Sequence, residues 1–352
     1  MSALAAPAAL PAAPRGGIWR LAWRRLQRDR VGLAALWVVA AFALVMLLCA
    51  TGVVAADWQD EVGVPGAPPA WLGAATAEGS GGAPIANEAA AAPRADLSAL
   101  DPLAARYAEW EARASTYRSA ETPRRPTLPL GGDRLGRDVL AKVLQGSLIS
   151  IAVGVGAALG AGAIGTALGA LAGFVGGRVG DALEWLYNVF ESVPNILLVF
   201  AFAAVSGRGI AAVVVILALT GWTGMYRQMR GEFLRHATRD YVRAAEALAI
   251  PPLARMFRHV LPNVAHLILV RVSLLVVASI KAEVVLSYLG LGVRIDQVSW
   301  GTMLAEAQGE LLLGRWWQLA AVTAFMAVFV TAFSLATDAL RDALDPRLAG
   351  LE

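Results

Sequence analysis

The sequence is poor in the residues from which redox, metal and hydrolytic sites are built. It contains one cysteine, Cys49, and three histidines in 352 residues. A single cysteine excludes an intrachain disulfide and leaves the redox compartment open. His236, His259 and His266 lack the His-Glu-x-x-His spacing of a zinc site, and no Gly-x-Ser-x-Gly segment is present. We therefore predict no metal site and no catalytic residues in this chain.

Nucleotide-binding loops are also missing from the sequence. There is no G-x-x-x-x-G-K-[ST] segment, so the chain lacks this device for binding ATP. Gly160–Gly165 matches G-x-G-x-x-G, but it lies inside an apolar run without a preceding soluble strand, and we reject a dinucleotide site. Glycines at short, repeated spacing instead allow helices to approach closely within a bilayer. These glycines are Gly156, Gly160, Gly165, Gly169, Gly173 and Gly177.

Charge is scarce, whereas apolar residues are abundant. Only 16% of the residues are charged, against roughly 25% in soluble domains, and 57% are hydrophobic. The mean hydropathy of +0.58 favours a chain with several membrane spans. The net charge is a modest +3. Since no basic stripe with interleaved aromatics lies on a polar segment, we predict no nucleic-acid partner.

Six apolar runs approach or exceed the roughly 20 residues that a spanning helix needs. They are Val31–Ala56, residues 148–172, Trp185–Ser206, Gly209–Tyr226, Val264–Leu291 and Trp316–Thr337, the third of them interrupted by Glu191 and Pro194. The first is too long for the core of a signal peptide, so we predict an uncleaved anchor. The sequence thus divides into a segment 1–56 with the first span, a periplasmic or extracellular insert 57–127, and a permease core 128–349 with five spans.

Arginine placement predicts the orientation of these spans. One group precedes the first span and a second lies between the fourth and fifth spans, within the loop 227–263. The first group is Arg15, Arg20, Arg24, Arg25, Arg28 and Arg30, and the second is Arg227, Arg230, Arg235, Arg239, Arg243, Arg255 and Arg258. Because short cytoplasmic loops carry an excess of Lys and Arg, both groups should be cytoplasmic. With six spans, both termini are then cytoplasmic.

The basic, alanine-rich segment 241–263 stands between two apolar runs. Good helix formers predict a first short helix from Tyr241. Pro251 biases Ile250 away from the α region, so that helix should end there. Pro252 can open a second helix that runs to about Pro262. Two short helices at the membrane surface would offer a docking surface to a soluble partner. The alternative is an ordinary basic loop whose charges only follow the rules of membrane topology.

This segment resembles the EAA loop, the cytoplasmic loop shared by permease subunits of binding-protein-dependent ABC importers. Its pattern is Glu-Ala-Ala, three residues, Gly, nine residues and Ile-x-Leu-Pro. The matching residues are Ala244, Ala245, Leu261 and Pro262, and the departures are Arg243 for Glu, Ala249 for Gly and His259 for Ile. The resemblance implies that these residues couple the spans to an ATPase. We expect the missing Gly to matter little, since Pro251-Pro252 supplies a break.

Further motifs extend the resemblance to permeases for oligopeptides, dipeptides and nickel. They are Trp23–Arg25, Leu128–Leu140, Ser287–Gly292 with Ser299-Trp300-Gly301, and Arg341–Arg347, in the expected order. The resemblance covers residues 20–56 and 128–348 and looks like the "C"-type subunit. It implies the all-α type I importer (MetI-like) permease fold with six transmembrane helices and an external insert. The implied location is the bacterial cytoplasmic (inner) membrane.

The same resemblance implies the partners and the cofactors. A second, distinct permease would complete a heterodimer, and two ABC ATPases would bind ATP and Mg, while this chain binds no cofactor. An external solute-binding protein would deliver a peptide or a related solute. The main alternative is a secondary active transporter without an ATPase. In the insert, the segment 96–118 has helical spacing; it is either a contact for the binding protein or a tolerated insertion.

Charged residues within spans are functional candidates, because burying charge in lipid is costly. Glu191 could line the translocation path or make a polar contact between helices. Lys281 and Glu283 are two residues apart, so on a helix they point to different faces. We favour a structural or gating role for Glu283 and a role particular to this transporter for Lys281.

Overall fold

A computed structural model describes residues 26–73, 103, 106–116 and 124–344. Several sequence predictions fall outside these residues: the arginines at positions 15 to 25, the start of the segment 96–118 up to residue 102, and the part of the motif Arg341–Arg347 after Leu344. The described residues are predominantly helical, and their only β pairings are isolated bridges. An all-α membrane fold, as the sequence predicts, is confirmed.

The helices, numbered along the chain, have the following bounds. They are α1 (Arg30–Ala50), α2 (Tyr107–Thr116), α3 (Val139–Val175), α4 (Gly177–Glu191), α5 (Asn195–Ser206), α6 (Ile210–Gly221), α7 (Thr223–Ala237), α8 (Asp240–Ala247), α9 (Pro252–Arg255), α10 (Leu261–Tyr288), α11 (Trp300–Leu311) and α12 (Trp317–Leu344).

Four continuous helical segments in the described chain are long and apolar enough to cross a membrane. They are Arg30–Ala50, Val139–Val175, Pro252–Tyr288 and Trp317–Ala343. Two bent pairs, α4 with α5 and α6 with α7, raise the number to six if each pair crosses once. The described chain thus holds four to six candidate spans, and the six spans predicted from the sequence equal the upper number.

The third predicted span, Trp185–Ser206, is bent at the point where Glu191 and Pro194 interrupt its apolar run. α4 ends at Glu191, α5 begins at Asn195, and the two axes differ by 86°. Pro194 causes this break, because it lacks an amide hydrogen and disfavours helical backbone at the preceding residue. The sequence placed Pro194 inside an apolar run, and the bend follows from its backbone chemistry.

The prediction of a second, separate loop helix ending near Pro262 is wrong. α9 continues through a π-helical turn, Met256–Val260, directly into α10, so that Pro252–Tyr288 forms one helical segment of 37 residues. A proline ring normally clashes with the carbonyl four residues earlier. Here the wide turn precedes the proline, and the amide of Leu261 donates to Met256 O. The helix therefore accommodates Pro262.

Glycines of α3 allow α7 to pack against its backbone. A Cβ atom at Gly165 would lie 2.6 Å from Trp222 O, and one at Gly169 would lie 2.6 Å from Tyr226 O. Such distances are far below van der Waals contact, so only glycine fits at either position. The close helix approach predicted from the glycine spacing is thus confirmed on this face of α3.

The chain divides into two compact units, and the smaller one combines Asp57–Lys142 with Ala307–Ala321. Within this unit, Asp133 lies buried in the segment before α3. One carboxylate oxygen of Asp133 accepts from the amides of Leu135 and Arg137, and the other lies 2.7 Å from Lys142 Nζ. The motif Leu128–Leu140 therefore folds around a buried ion pair.

A tryptophan holds the same motif from the other side. Trp317 Nε1 donates to Gly132 O at 2.8 Å, and the indole packs against Gly131. Gly131 has a φ of 89°, and a Cβ atom there would overlap the Trp317 ring. Glycine is thus required at this position both by the backbone conformation and by the lack of space.

The pKa of Asp133 lies below its usual value. Burial alone would raise this pKa, but the Lys142 ammonium and the amides of Arg137 and Leu135 favour the charged carboxylate. Because the pKa is lowered in the folded state, the ion pair stabilises the protein fully above the pKa of the unfolded aspartate. That stability is lost as the pH falls through the folded-state pKa.

Substitution of Gly169 by Ala should lower the stability of the protein by about 1–3 kcal/mol, because the added methyl overpacks the contact between α3 and α7. Gly231 in α7 is the matched control, since a Cβ atom there meets nothing within 4 Å. Gly231→Ala should raise stability by up to about 1 kcal/mol through helix propensity. Thermal unfolding of both variants in detergent measures the difference, and equal shifts would contradict the packing.

Substitution of Asp133 by Asn should destabilise the protein by about 3–5 kcal/mol, because the Lys142 charge stays buried without its carboxylate. Asn keeps an oxygen for the amides, so the change isolates the ion pair. The double variant Asp133→Asn/Lys142→Met should recover most of the loss. Thermal unfolding from neutral to acidic pH is the measurement. A single variant as stable as the double variant would refute the pairing.

Candidate functional site

α8 has a defined beginning and end. Asp240 in its first turn is favourable at the positive end of the helix dipole. The helix ends in a Schellman motif: the amide of Ile250 donates to Ala245 O at 3.1 Å, and that of Ala249 donates to Glu246 O at 2.8 Å. Ala249 has a φ of 55°, in the left-handed region.

Ala249 therefore ends α8, and the two prolines that follow do not. From the sequence we expected Pro251-Pro252 to end this helix, but α8 ends at Ala247, several residues earlier. The Gly slot of the EAA pattern falls on the one residue of this turn whose backbone favours glycine. Because this sequence has Ala where the pattern has Gly, the backbone at Ala249 is locally strained. The expectation that the missing Gly matters little did not take this strain into account.

α8 presents two faces with different environments. Val242 and Ala245 are buried, and Ala245 is only 4% exposed. The opposite face is open, with Leu248 77% exposed and Ala244 and Ala247 beside it at helical spacing. Of the residues singled out from the sequence, Arg243, Ala244, Ala249 and Pro262 are exposed, Leu261 is half-buried, and Ala245 is buried.

The buried face of α8 belongs to an apolar cluster that includes the neighbouring spans. We call it the loop cluster; its members are Ala170, Met225, Met229, Phe233, Val242, Met256, Val260 and Val264. They come from α3, α7, α8, the π-helical turn and α10. Because protein interiors are close-packed and barely compressible, a displacement of α8 is transmitted to these helices.

Polar contacts hold the loop at its edges. Glu246 Oε1 lies 3.0 Å from Arg255 Nη1, which joins α8 to α9. His236 Nδ1 and Tyr241 Oη are 2.8 Å apart and join the end of α7 to the start of α8. Arg255 is only 13% exposed, whereas Glu246 and the His236–Tyr241 pair are exposed. These contacts link α8 to the segments on both of its sides.

Glu283 is fully buried in a serine-lined site. Ser150 Oγ donates to one carboxylate oxygen at 2.7 Å, and Ser287 Oγ donates to the other at 2.6 Å. The amide of Trp300 donates to Ser150 Oγ at 3.0 Å. This network joins α3, α10 and the start of α11. Glu283 therefore has the geometry of a polar contact between helices, and it is enclosed by its own subunit.

The other two intramembrane charges lie in different surroundings. Lys281 is exposed while Glu283 is buried, so the expectation that they point to different faces is confirmed. Glu191 is exposed at the last residue of α4, directly before the 86° bend. The three residues do not form one site within this chain.

Among the described residues, no group of three or more His, Cys, Asp or Glu side chains is placed to hold a metal ion. Sequence reasoning missed Leu248, Val242 and the serine partners of Glu283. Helical spacing from Ala244 could have indicated Leu248. Ser150 is 133 residues away from Glu283, and no local pattern connects them.

Comparison with known protein families identifies the family of this chain. Residues 165–350, more than half of the chain, match the family model described as "Binding-protein-dependent transport system inner membrane component". The chain belongs to this family of membrane transport components. The matched range includes the last part of α3, all of α4 to α12, and every member of the loop cluster.

Curated relatives align over most of the chain. A dipeptide transport system permease protein DppC of Bacillus subtilis is 37% identical over 62% of this chain and 68% of its own length. An oligopeptide transport system permease protein OppC of the same organism is 33% identical over 72% and 81%. A DppC of Lactococcus lactis is 29% identical over 96% and 92%. The chain is thus similar to permease subunits.

A solved structure of the MetNI methionine ABC transporter, in an inward-facing conformation, is also similar. The TM-score is 0.49 at 14% sequence identity, and the match covers 58% of this chain and 97% of that chain.

Substitution of Ala249 by Gly should stabilise the end of α8 by about 1 kcal/mol, because glycine adopts the left-handed conformation without steric cost. Ala247→Gly makes the same chemical change within the helix and should destabilise it by about 1 kcal/mol. The rate of tryptic cleavage at the arginines flanking α8 measures local opening. Slower cleavage in the first variant and faster cleavage in the second are expected, and the same direction in both would contradict the assignment.

Proposed function

We propose that this chain is the permease subunit of an ATP-driven ABC importer, in which α8 receives an ATPase subunit. The observation that carries the proposal is the two-faced structure of α8. One face is fixed in the loop cluster with the spans, while Leu248 on the other face projects into solvent. A helix of this kind can bind a partner and transmit the partner's motion.

The chemistry of the exposed face fits a protein partner. Ala244, Ala247 and Leu248 form a small apolar centre, and the charged side chains of Arg243 and Glu246 flank it. Interfaces commonly combine an apolar core with a polar rim. Because its neighbours Ala244 and Ala247 are small, the exposed side chain of Leu248 can enter a pocket of a partner.

The remaining partners and the orientation complete the proposal. A second, homologous permease forms a heterodimer with this chain, and two ATPases supply ATP and Mg. An external solute-binding protein delivers the solute. The termini and α8 are cytoplasmic, and the segment 57–127 is external. Arginines around α8, namely Arg239, Arg243, Arg255 and Arg258, agree with the cytoplasmic side.

In the proposed mechanism, the ATPases close on ATP and displace α8. The loop cluster carries this displacement to α7 and α10, and the permease pair changes the side on which its path is open. Arg243, Ala244 and Ala249 lie on the docking side of α8, whereas Ala245 holds the buried side. Leu261 and Pro262 belong to the passage from the π-helical turn into α10. Glu283 secures α10 to α3 during the motion.

The names of the relatives support peptides, or related small solutes, as the substrate class. They include permeases for dipeptides, oligopeptides, di- and tripeptides, and glutathione. All four solute types carry a peptide bond. Lys281 and Glu191, both exposed, are the residues of this chain that we propose for the translocation path or its gate.

Purification of the tagged chain from its native membrane in mild detergent tests the class of transporter. Recovery of a second permease and of ATPases with Walker motifs is the expected result. Recovery of the chain alone, with transport in liposomes that contain no ATP, would indicate a secondary active transporter and overturn the proposal.

Substitution of Leu248 by Asp should reduce recovery of the ATPase about tenfold, or about 1.4 kcal/mol of binding free energy, since a carboxylate replaces the apolar centre. Ile295→Asp is the matched control, because Ile295 is an aliphatic residue that is 89% exposed in the loop between α10 and α11. The control should keep the ATPase. Equal recovery from both variants would exclude α8 as the docking helix.

A further inference from the structure

The smaller unit exposes a group of large apolar side chains. Trp71 and Trp316 stack with ring centroids 6.3 Å apart and an interplanar angle of 18°, and both remain substantially exposed. Leu72 lies beside Trp71 in sequence. Leu312 and Leu313, which are 87% and 70% exposed, precede Trp316 by only a few residues. We call these five residues the aromatic patch.

Rigid turns hold these side chains outward. Trp71 and Leu72 belong to a 3₁₀ turn, Ala70–Leu72, whose first amide donates to Leu128 O at 2.8 Å. The turn after α11 is closed by the amides of Leu313 and Arg315, which both donate to Glu310 O at 3.0 Å.

The exposure of these residues is therefore built into the backbone. Glu310 is itself buried, and its side chain accepts from the amide of Arg134 at 2.8 Å. Gly314 takes a φ of 77°, which permits the tight return of the chain towards α12. The leucines cannot turn inward without breaking this hydrogen-bonded turn.

The sequence position of the patch relates it to the bilayer. Trp316 directly precedes α12, and Trp317–Ala343 is a candidate membrane span. The residue before a span lies at the level of the lipid headgroups, where tryptophan is enriched. Arg315, between Leu313 and Trp316, is half-buried, and its guanidinium lies against Gly66.

The composition and the position of the patch together favour lipid as its partner. Large exposed apolar patches mark contacts with proteins or with membranes. The patch consists of two tryptophans and three leucines, and its place directly before a candidate span favours the membrane. Covering one such side chain fully is worth about 1.5–3 kcal/mol, and the headgroup and upper acyl-chain region is the apolar phase that borders the start of α12.

We propose that the aromatic patch inserts into the outer leaflet beside α12 and anchors the smaller unit to the bilayer surface. The partner is a lipid surface, and the apolar side chains enter its upper acyl-chain region. This anchoring goes beyond the proposed ATP-driven transport; it rests on the proposed orientation, in which α12 spans the membrane with its first residue on the outer side.

Site-directed fluorescence in bilayers tests this anchoring. Cys49→Ala removes the chain's only cysteine, and Leu312→Cys or Leu313→Cys then introduces one labelling site while both tryptophans stay in place. Asp60→Cys is the matched control, because Asp60 is an exposed residue of the same unit. Each full-length variant, with its co-purifying subunits, is labelled with an environment-sensitive dye and reconstituted in phosphatidylcholine–phosphatidylglycerol nanodiscs.

The readout is quenching by a phosphatidylcholine with a nitroxide near the top of its acyl chain. Labels at positions 312 and 313 should be quenched several-fold more strongly than the label at position 60 and should emit at shorter wavelength, without any binding protein present. Quenching equal to the control at both positions would overturn the proposal. Shielding that develops only when the solute-binding protein is added would overturn it too, and would identify that protein as the partner.

Discussion

Close packing beneath α8 is the constraint on which the functional account depends. The loop cluster brings together side chains from a membrane helix on each side of the loop, from α8 itself and from the π-helical turn. Val242 is the point at which α8 enters this cluster. Without that burial, α8 would be an eight-residue helix on a mobile loop, and isolated helices of that length are unstable in water.

The glycines of α3 are a precondition for the cluster. Gly165 and Gly169 allow the backbone of α7 to approach, and this approach brings Met225 and Met229 to the position from which they meet α8. In lipid there is little hydrophobic force between helices, so close contact of small residues supplies the attraction. The glycine spacing of α3 is therefore linked through α7 to the packing of α8.

The sequence predicted the features that depend on composition and local chemistry. Apolar runs predicted where the candidate spans lie, and the basic, alanine-rich segment predicted the position of α8. Prolines were harder to interpret: Pro194 breaks a span, whereas Pro262 is absorbed by a wide turn. The difference lies in the backbone before each proline: a π-helical turn precedes Pro262, whereas the helix before Pro194 ends at Glu191. The identity of the proline alone does not predict which of the two occurs.

The features that the sequence did not predict depend on distant contacts. Ala245 matched a family pattern but lies on the buried face of α8. Glu283 was a candidate for gating, and its partner Ser150 comes from a helix far away in the chain. The strain at Ala249 was visible only as a missing glycine, and its meaning required the Schellman geometry.

The ratio of solute transported to ATP hydrolysed, in the reconstituted complex, tests the central claim most directly. Val242→Ala loosens the attachment of α8 to the loop cluster but leaves its exposed face unchanged. We predict that this variant keeps its ATPase subunits and continues to hydrolyse ATP, while the amount of solute moved per ATP falls. A ratio equal to that of the unmodified complex would contradict the claim that the loop cluster transmits the motion of the ATPases.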